Sequence, residues 1–104
     1  LRAARRSTPD AQATMDDALR HDCLWVRRIA MIHQLGWRLE TDSIRLFAYA
    51  ERLAPEGDFF IRKAIGWALR DYARWQPQAV REFVTAMGGR LSPLSAREAI
   101  RRIT

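Results

Sequence analysis

Residues 59–75 read FFIRKAIGWALRDYARW, and the spacing of apolar residues in this stretch decides the fold class. The apolar positions recur every three or four residues and never strictly every second residue, which is typical of a helix. One tryptophan and three cations are separated by four, three and four residues, so they share one narrow stripe of that helix. The apolar side comprises Ile61, Ile65, Ala68, Leu69 and Tyr72, and the opposite stripe comprises Lys63, Trp67, Arg70 and Arg74.

A short pattern inside this stretch recurs at a fixed period along the chain. The tetrapeptide Arg62-Lys63-Ala64-Ile65 resembles residues 27–30 (RRIA) and 97–100 (REAI), and consecutive starts are 35 residues apart. Two-helix units at such a period are typical of a helical solenoid, because each pair buries its apolar face only by stacking on a neighbour. We therefore predict an all-α, HEAT-like repeat solenoid of about three helix pairs. The alternative is a coincidental match of short patterns in an arginine-rich chain.

Turn and capping residues divide the chain into about six helices and no strand. Ser95 and Glu98 have the spacing of a capping box, so Ser95 is expected to cap the last helix. The other predicted helices run from Thr8-Pro9-Asp10 to about His21, from Leu24 to Trp37, from Thr41-Asp42 to Ala54, from Asp58 to about Trp75, and from about Pro77 to Gly88-Gly89.

The composition indicates one globular domain with a polyanionic partner. The 104 residues are 48% hydrophobic and 29% charged, which suits a single domain over residues 1–104. Lys and Arg number 18 against 12 acids, and this excess of positive charge favours nucleic acid or another polyanion. All but one of these cations are arginines, whose planar guanidinium binds phosphate bidentately. A GC-rich genome is an alternative cause of the preference for arginine over lysine.

Some kinds of site are disfavoured by what the sequence lacks. Cys23 is the single cysteine, so no intramolecular disulfide forms, and with two histidines it offers too few ligands for a zinc site. We expect no metal and no cofactor. The sequence has neither an apolar run long enough for a membrane span nor a signal peptide, so a cytoplasmic, nucleoid-associated location is expected. The absence of an initiator methionine suggests the C-terminal portion of a longer protein.

Trp67 and Arg28 are the side chains whose positions are hardest to explain by packing alone. Trp67 lies in the middle of the cationic stripe, next to Gly66, which would let a ligand or another backbone approach closely. Packing of Trp67 at a junction between repeats is the alternative. Arg28 interrupts an apolar stripe, and a buried cation must pair with an acid such as Asp58 or reach a groove.

The remaining candidate residues have simpler structural interpretations. Arg27, Arg62 and Arg97 recur at the repeat period and are expected to contact helix ends or acids between repeats. The other expectations are a solvated face for Asp16 and Asp17, core positions for His33, Trp25 and Trp37, and a solvated helix end for Arg101 and Arg102.

The segment 59–70 resembles the most recognisable segment of the AlkD-type DNA alkylation repair family, and the likeness extends from about Asp22 to the end of the chain. The residues on either side of this segment match the family in order and spacing, namely Leu24–Arg28 before it and Pro77, Val80 and Leu94–Ala99 after it. The resemblance implies HEAT-like repeats curved around duplex DNA and hydrolytic excision of cationic alkylpurines such as 3-methyladenine and 7-methylguanine. By motif position, Trp67 matches an aromatic residue that assists catalysis, and Arg28 matches an arginine that holds the DNA backbone.

The chain departs from the family pattern in one respect that matters for catalysis. The family's catalytic aspartate and its companion tryptophan lie upstream of residue 1, and none of Asp16, Asp17 or Asp22 matches that motif. The predicted function is therefore the DNA-binding portion of an alkylpurine DNA glycosylase, which contacts phosphates through Arg28, Lys63, Arg70 and Arg74. The alternative is a non-catalytic repeat scaffold that binds DNA, structured RNA or an acidic protein.

Overall fold

A computed structural model of the chain describes residues 9–101, which form six α-helices, two short 3₁₀ turns and no strand. The all-α prediction is confirmed. No helix in this range is long and apolar enough to cross a membrane. The helices are α1 (Pro9–Ala18), α2 (Leu24–Ile32), α3 (Ser43–Leu53), α4 (Phe59–Ala73), α5 (Pro77–Met87) and α6 (Pro93–Ile100), and the 3₁₀ turns are Arg38–Glu40 and Gly88–Arg90.

Side-chain caps begin α3, α4 and α6. The carboxylate of Asp42 accepts the N–H of Arg45 at 3.1 Å, and that of Asp58 accepts the N–H of Phe60 at 2.8 Å. The capping box predicted at Ser95 is wrong, because α6 begins one turn earlier, where the hydroxyl of Ser92 accepts the N–H of Ser95 at 3.1 Å. Pro93 then occupies the first turn, where its missing N–H costs no hydrogen bond.

Two helices end earlier than the sequence suggested. Helix α2 ends at Ile32 instead of Trp37. After Ile32 the hydrogen bonds join residues three apart, as between the N–H of Leu35 and the carbonyl of Ile32 at 3.0 Å, and Gly36 then reverses the chain with a φ of 82°. Helix α1 stops at Ala18 instead of His21 through a similar tightening. Thr8, which was expected to begin α1, and Arg102, which was expected at the end of α6, lie outside the described residues.

Helix α4 is the centre of the fold and carries its longest buried face. It packs against α2 on one side and α6 on the other, so the three second helices of the repeats lie next to one another. The first helices α1, α3 and α5 form the other layer, where the rings of Phe47 and Phe83 stack at 4.6 Å. The predicted repeat therefore corresponds to a real stacking of helix pairs. Fully buried core residues include Met31, Leu53, Ile61, Ile65, Leu69 and Val80.

The core position predicted for Trp25 is wrong, because its side chain is about half exposed. Ser95 is 35 residues after Phe60 and 70 after Trp25, and its hydroxyl donates to the carbonyl of Arg62 at 2.8 Å. Ser95 is fully buried against the preceding second helix. At the same position of the repeat, Trp25 is 51% exposed and Phe60 is 47% exposed, and their rings contact each other with centroids 5.0 Å apart.

His33 lies at the inner end of α2, as predicted for a core histidine. Its Nδ1 lies 2.7 Å from the carbonyl of Ala30, and its ring meets that of Trp37 edge to face at 5.3 Å. Burial lowers the pKa of His33, so the neutral form is favoured near neutral pH. Trp37 is partly buried, close to its expected core position.

Asp16 joins α1 to α3, so the solvated face predicted for it is wrong. Its carboxylate accepts two bonds from the guanidinium of Arg45, both at 3.0 Å, and a bond from the hydroxyl of Tyr49. The bonds from Arg45, followed by that from Tyr49, lower the pKa of Asp16 from 3.8 to about 2. Its neighbour Asp17 behaves as predicted, in an exposed pair with Arg20 at 2.8 Å.

Replacement of Asp16 by asparagine is expected to weaken the fold in a pH-dependent way. Because the folded-state pKa is depressed, the ionised carboxylate contributes stability above about pH 4 and loses it as the pH falls towards 2. Asp16→Asn should lower the free energy of unfolding at pH 7 by roughly 1 kcal/mol, after allowance for solvent screening of a partly exposed pair. Urea titrations at pH 7, 4 and 2 should show this difference shrinking to nearly zero. Asp17→Asn is the matched control, and an equal loss in both variants would contradict the assignment.

Candidate nucleic-acid interface

One surface of the three stacked second helices carries the predicted site residues. Arg28 on α2, Lys63 on α4 and Glu98 on α6 occupy the same position of the 35-residue repeat, so they form a row across the helices. On α4 this surface continues from Lys63 through Trp67, Arg70 and Arg74, which form the predicted stripe. We call this surface the inner face, and it comprises Arg28, Lys63, Trp67, Arg70, Arg74 and Glu98.

Arg28 and Trp67 meet at the centre of the inner face. The guanidinium carbon of Arg28 lies 5.8 Å from the centroid of the Trp67 ring, within the range of a cation–π contact. The side chain of Trp67 is 40% exposed, so it is not a core residue, but more than half of its surface is covered by other residues. The proposed junction packing of Trp67 is therefore only partly right, because its neighbour from the preceding repeat is a cation.

The pairing considered for Arg28 with Asp58 does not occur. The carboxylate of Asp58 is occupied by backbone N–H groups at the start of α4. Among residues 9–101 no acid forms an ion pair with Arg28, and its buried Nε atom has no hydrogen-bond partner there. An arginine that covers an aromatic ring and keeps hydrogen-bonding capacity is suited to bind an external anion.

Glu98 is the inner-face residue that sequence reasoning missed. Its carboxylate lies 3.3 Å from a guanidinium nitrogen of Arg70, 3.6 Å from Nζ of Lys63 and 3.8 Å from Arg101. Glu98 therefore holds two of the predicted DNA-binding cations in place and neutralises part of their charge. The signal was available in the repeat alignment, which sets Glu98 at the position of Arg28 and Lys63.

Gly66 permits this arrangement, and the approach that it allows is that of another helix. A Cβ atom at residue 66 would lie 2.5 Å from Cβ of Glu98 and 3.3 Å from the backbone oxygen of Ser95. Real side chains do not approach so closely, so α6 reaches its position only because residue 66 has no side chain. The close contact places the carboxylate of Glu98 against the stripe of α4.

The other arginines divide between structural roles and exposed positions. Arg27 donates to both carboxylate oxygens of Glu56, at 2.8 and 2.9 Å, and Arg62 donates to the carbonyl of Glu56 at 3.0 Å, as predicted for these two repeat positions. Arg97 is exposed, and no contact with a helix end or an acid is found for it among residues 9–101. Arg74 is exposed at the C-terminal cap of α4, where the helix dipole favours a cation.

The inner face combines the properties of a phosphate-binding surface with one aromatic platform. Arg28, Lys63, Arg70 and Arg74 offer four positive charges, whereas Glu98 is the one acid among the residues that define the face. No group of three or more His, Cys, Asp or Glu residues suited to a metal ion occurs in residues 9–101. The arrangement can hold an anion beside an aromatic ring, but it presents no unpaired carboxylate next to Trp67.

Comparisons with known proteins agree with the all-helical fold and with the family resemblance. The chain matches the family model of the DNA alkylation repair enzyme over residues 2–103. It is also similar to a solved structure from Enterococcus faecalis, described as a predicted DNA alkylation repair enzyme, with 30% sequence identity and a TM-score of 0.79. The match covers 88% of this chain but 44% of that one, so the chain spans less than half the length of that relative. No curated protein is significantly similar to the chain.

Gly66→Ala is expected to destabilise the protein, although alanine is the better helix former. The added methyl group would force α6 away from α4, a cost of about 1–3 kcal/mol for overpacking that exceeds the gain of about 1 kcal/mol in helix propensity. Thermal unfolding followed by circular dichroism should show a lower melting temperature. Gly89→Ala is the control, because a Cβ there meets no atom within 4 Å. A Gly66→Ala variant at least as stable as the original would refute the close contact.

Proposed function

The chain belongs to the DNA alkylation repair enzyme family, and from this premise we propose that it supplies the duplex-DNA-binding part of an alkylpurine DNA glycosylase. The substrate class would be duplex DNA that carries a cationic lesion such as 3-methyladenine or 7-methylguanine. The inner face would contact the DNA backbone through phosphates. The observation that carries this proposal is the contact between Arg28 and Trp67.

Arg28 and Trp67 would divide the recognition of an alkylated nucleotide between them. The guanidinium of Arg28 would donate to a phosphate oxygen next to the lesion, because no acid within residues 9–101 neutralises it. The exposed indole face of Trp67 carries negative electrostatic potential, so it would attract the cationic base or the positively charged sugar. Lys63 and Arg70, oriented by Glu98, would bind further phosphates.

The chemical requirement of the proposed reaction explains why this part alone would not suffice. As the N-glycosidic bond breaks, the alkylated base leaves with the bonding electrons and the sugar becomes an oxocarbenium ion, which water then attacks with loss of a proton. A carboxylate beside the sugar stabilises that positive charge. On the inner face Glu98 is already engaged by three cations. The proposed reaction would therefore need a carboxylate from outside the inner face.

A second candidate function is a non-catalytic scaffold that binds nucleic acid. The engagement of Glu98 favours this candidate, because the inner face then has cations and an aromatic platform but no free carboxylate. Structured RNA and an acidic protein segment are the alternative partners for such a face. A competition assay with plain duplex, methylated duplex, RNA and an acidic peptide distinguishes the two candidate functions and their partners. Preference for methylated duplex would support the first proposal.

Binding of duplex DNA is expected to be weak, insensitive to sequence and strongly dependent on salt. Arg28→Ala should weaken binding by about 1 kcal/mol, or about fivefold, because it removes a charge-assisted contact to a phosphate. Fluorescence anisotropy with a labelled duplex at several salt concentrations measures the affinity of each variant and its dependence on salt. Arg20→Ala is the control, since Arg20 pairs with Asp17 away from the inner face. Binding that ignores salt, or an Arg28→Ala variant that is merely unfolded, would refute the assignment.

The chain assayed alone is expected to release no alkylated base. Electrostatic groups at the reacting centre are typically worth about 3–4 kcal/mol, so lack of the carboxylate should cost a hundredfold or more in rate. The measurement is chromatography of free base after incubation with duplex that contains 7-methylguanine. Release above the spontaneous rate that Trp67→Ala abolishes would show that an acid within these 104 residues acts. Asp22→Asn and Glu98→Gln would then identify that acid.

A further inference from the structure

A second pair of arginine and tryptophan lies at the C-terminal end of α4. The guanidinium carbon of Arg38 is 5.4 Å from the centroid of the Trp75 ring, and Trp75 is 40% exposed, as is Trp67. In both pairs the arginine comes from the segment 24–41 and covers a tryptophan in or just after α4. The family resemblance assigned no role to Arg38 or Trp75.

The backbone at Arg38 adopts a conformation that usually favours glycine. Arg38 has a φ of 59° and is the one residue other than glycine with a positive φ in residues 9–101. This left-handed conformation is unfavourable for a residue with a side chain, and glycine adopts it at lower cost. A turn that served only to connect α2 and α3 would be better served by glycine at this position, as it is at Gly36.

The loop that carries Arg38 is fixed on α4. The N–H of Gly36 donates to a carboxylate oxygen of Asp71 at 3.0 Å, and the 3₁₀ turn is closed by the N–H of Thr41 bonding to the carbonyl of Arg38 at 3.2 Å. These contacts hold the guanidinium over Trp75. No acid in residues 9–101 forms an ion pair with Arg38, and the nearby carboxylate of Asp71 is occupied by the backbone of Gly36.

We propose that Arg38 and Trp75 form a second contact point for the phosphodiester backbone of a nucleic acid, in continuation of the inner face. The cationic stripe of α4 ends at Arg74, which is exposed directly beside Trp75. Trp67 and Trp75 are eight residues apart, which corresponds to about 12 Å along a helix. Since one strand carries a phosphate about every 3.4 Å of duplex axis, the two arginines would contact different phosphates.

The stacked arrangement suits this role. A guanidinium that lies on an aromatic ring keeps its N–H donors at its edge, where they point outward to phosphate oxygens. The ring restricts the motion of the long side chain before binding, so less conformational entropy is lost on contact with the ligand. Trp75 is therefore a positioning residue for Arg38. This inference rests on the proposed binding of duplex DNA and extends it to a second site.

The test compares the salt dependence of duplex binding in variants of the two arginine pairs. Arg38→Gly should weaken binding roughly threefold to tenfold and reduce the slope of log affinity against log salt by about one phosphate contact. Its melting temperature should not fall, because glycine tolerates the left-handed backbone. Arg90→Gly is the matched control, since Arg90 is also an exposed arginine of a 3₁₀ turn but pairs with Glu51 at 3.1 Å. This control should leave the slope unchanged.

Substitutions of Trp75 distinguish positioning from a purely structural role. Trp75→Tyr keeps an aromatic platform and should retain most of the affinity, whereas Trp75→Leu should lose about as much as Arg38→Gly. Equal losses in the two Trp75 variants, or a lower melting temperature in Arg38→Gly, would overturn the inference in favour of a structural contact. An unchanged slope in Arg38→Gly, with a reduced slope in Arg28→Ala, would overturn this inference alone. Absence of duplex binding by the unaltered chain would overturn both proposals.

Discussion

The close approach of α6 to α4 at Gly66 is the contact on which the functional surface depends. Because residue 66 has no side chain, the Cβ of Glu98 can occupy the position that a side chain would need. The carboxylate of Glu98 then reaches the cations of α4, and the inner face acquires its distribution of charge. A wider separation of the helices would leave Lys63 and Arg70 without this partner. The lack of a side chain at Gly66 therefore determines both the packing of α6 on α4 and the position of the Glu98 carboxylate.

The described arginines include some that bond within the fold and others that pair with no described acid. Arg27, Arg45 and Arg62 bond to acids or carbonyl groups of other segments, so their charge stabilises the stack of repeats. Arg28 and Arg38 instead lie over tryptophan rings and pair with no acid in residues 9–101. An aromatic ring lowers the freedom of a guanidinium without neutralising it, which leaves the positive charge available to an anion.

Membership of the DNA alkylation repair enzyme family and the length of the match bear on function in different ways. The family connects the chain with DNA repair, and the inner face offers a physical basis for contact with DNA. The solved relative extends well beyond the matched region, since 44% of its chain is covered. The charge that develops on a sugar during base excision needs a nearby anion, and the acid of the inner face is engaged by three cations. The cations of the inner face and the anion needed for base excision are therefore two separate requirements of the proposed function.

The sequence alone determined the elements that depend on local rules. The spacing of apolar residues established the helices, Asp42 and Asp58 marked helix starts, and the period of 35 residues established the repeat. It also placed Lys63, Trp67, Arg70 and Arg74 on one strip of α4, because four residues of one helix keep their angular order in any tertiary structure.

The tertiary structure decided which partner each charged or aromatic side chain meets. Asp16 and Asp17 are adjacent in the sequence, yet only Asp16 faces Arg45 and Tyr49 across the layer of first helices. Trp25 follows the apolar pattern of a core residue, yet it is about half exposed and contacts the ring of Phe60, which is also about half exposed. Helical periodicity determines the direction of a side chain relative to its own axis, whereas burial and pairing depend on what lies in that direction. Contacts between residues 28 and 67, or 38 and 75, follow from the stacking of whole helices, which no local pattern encodes.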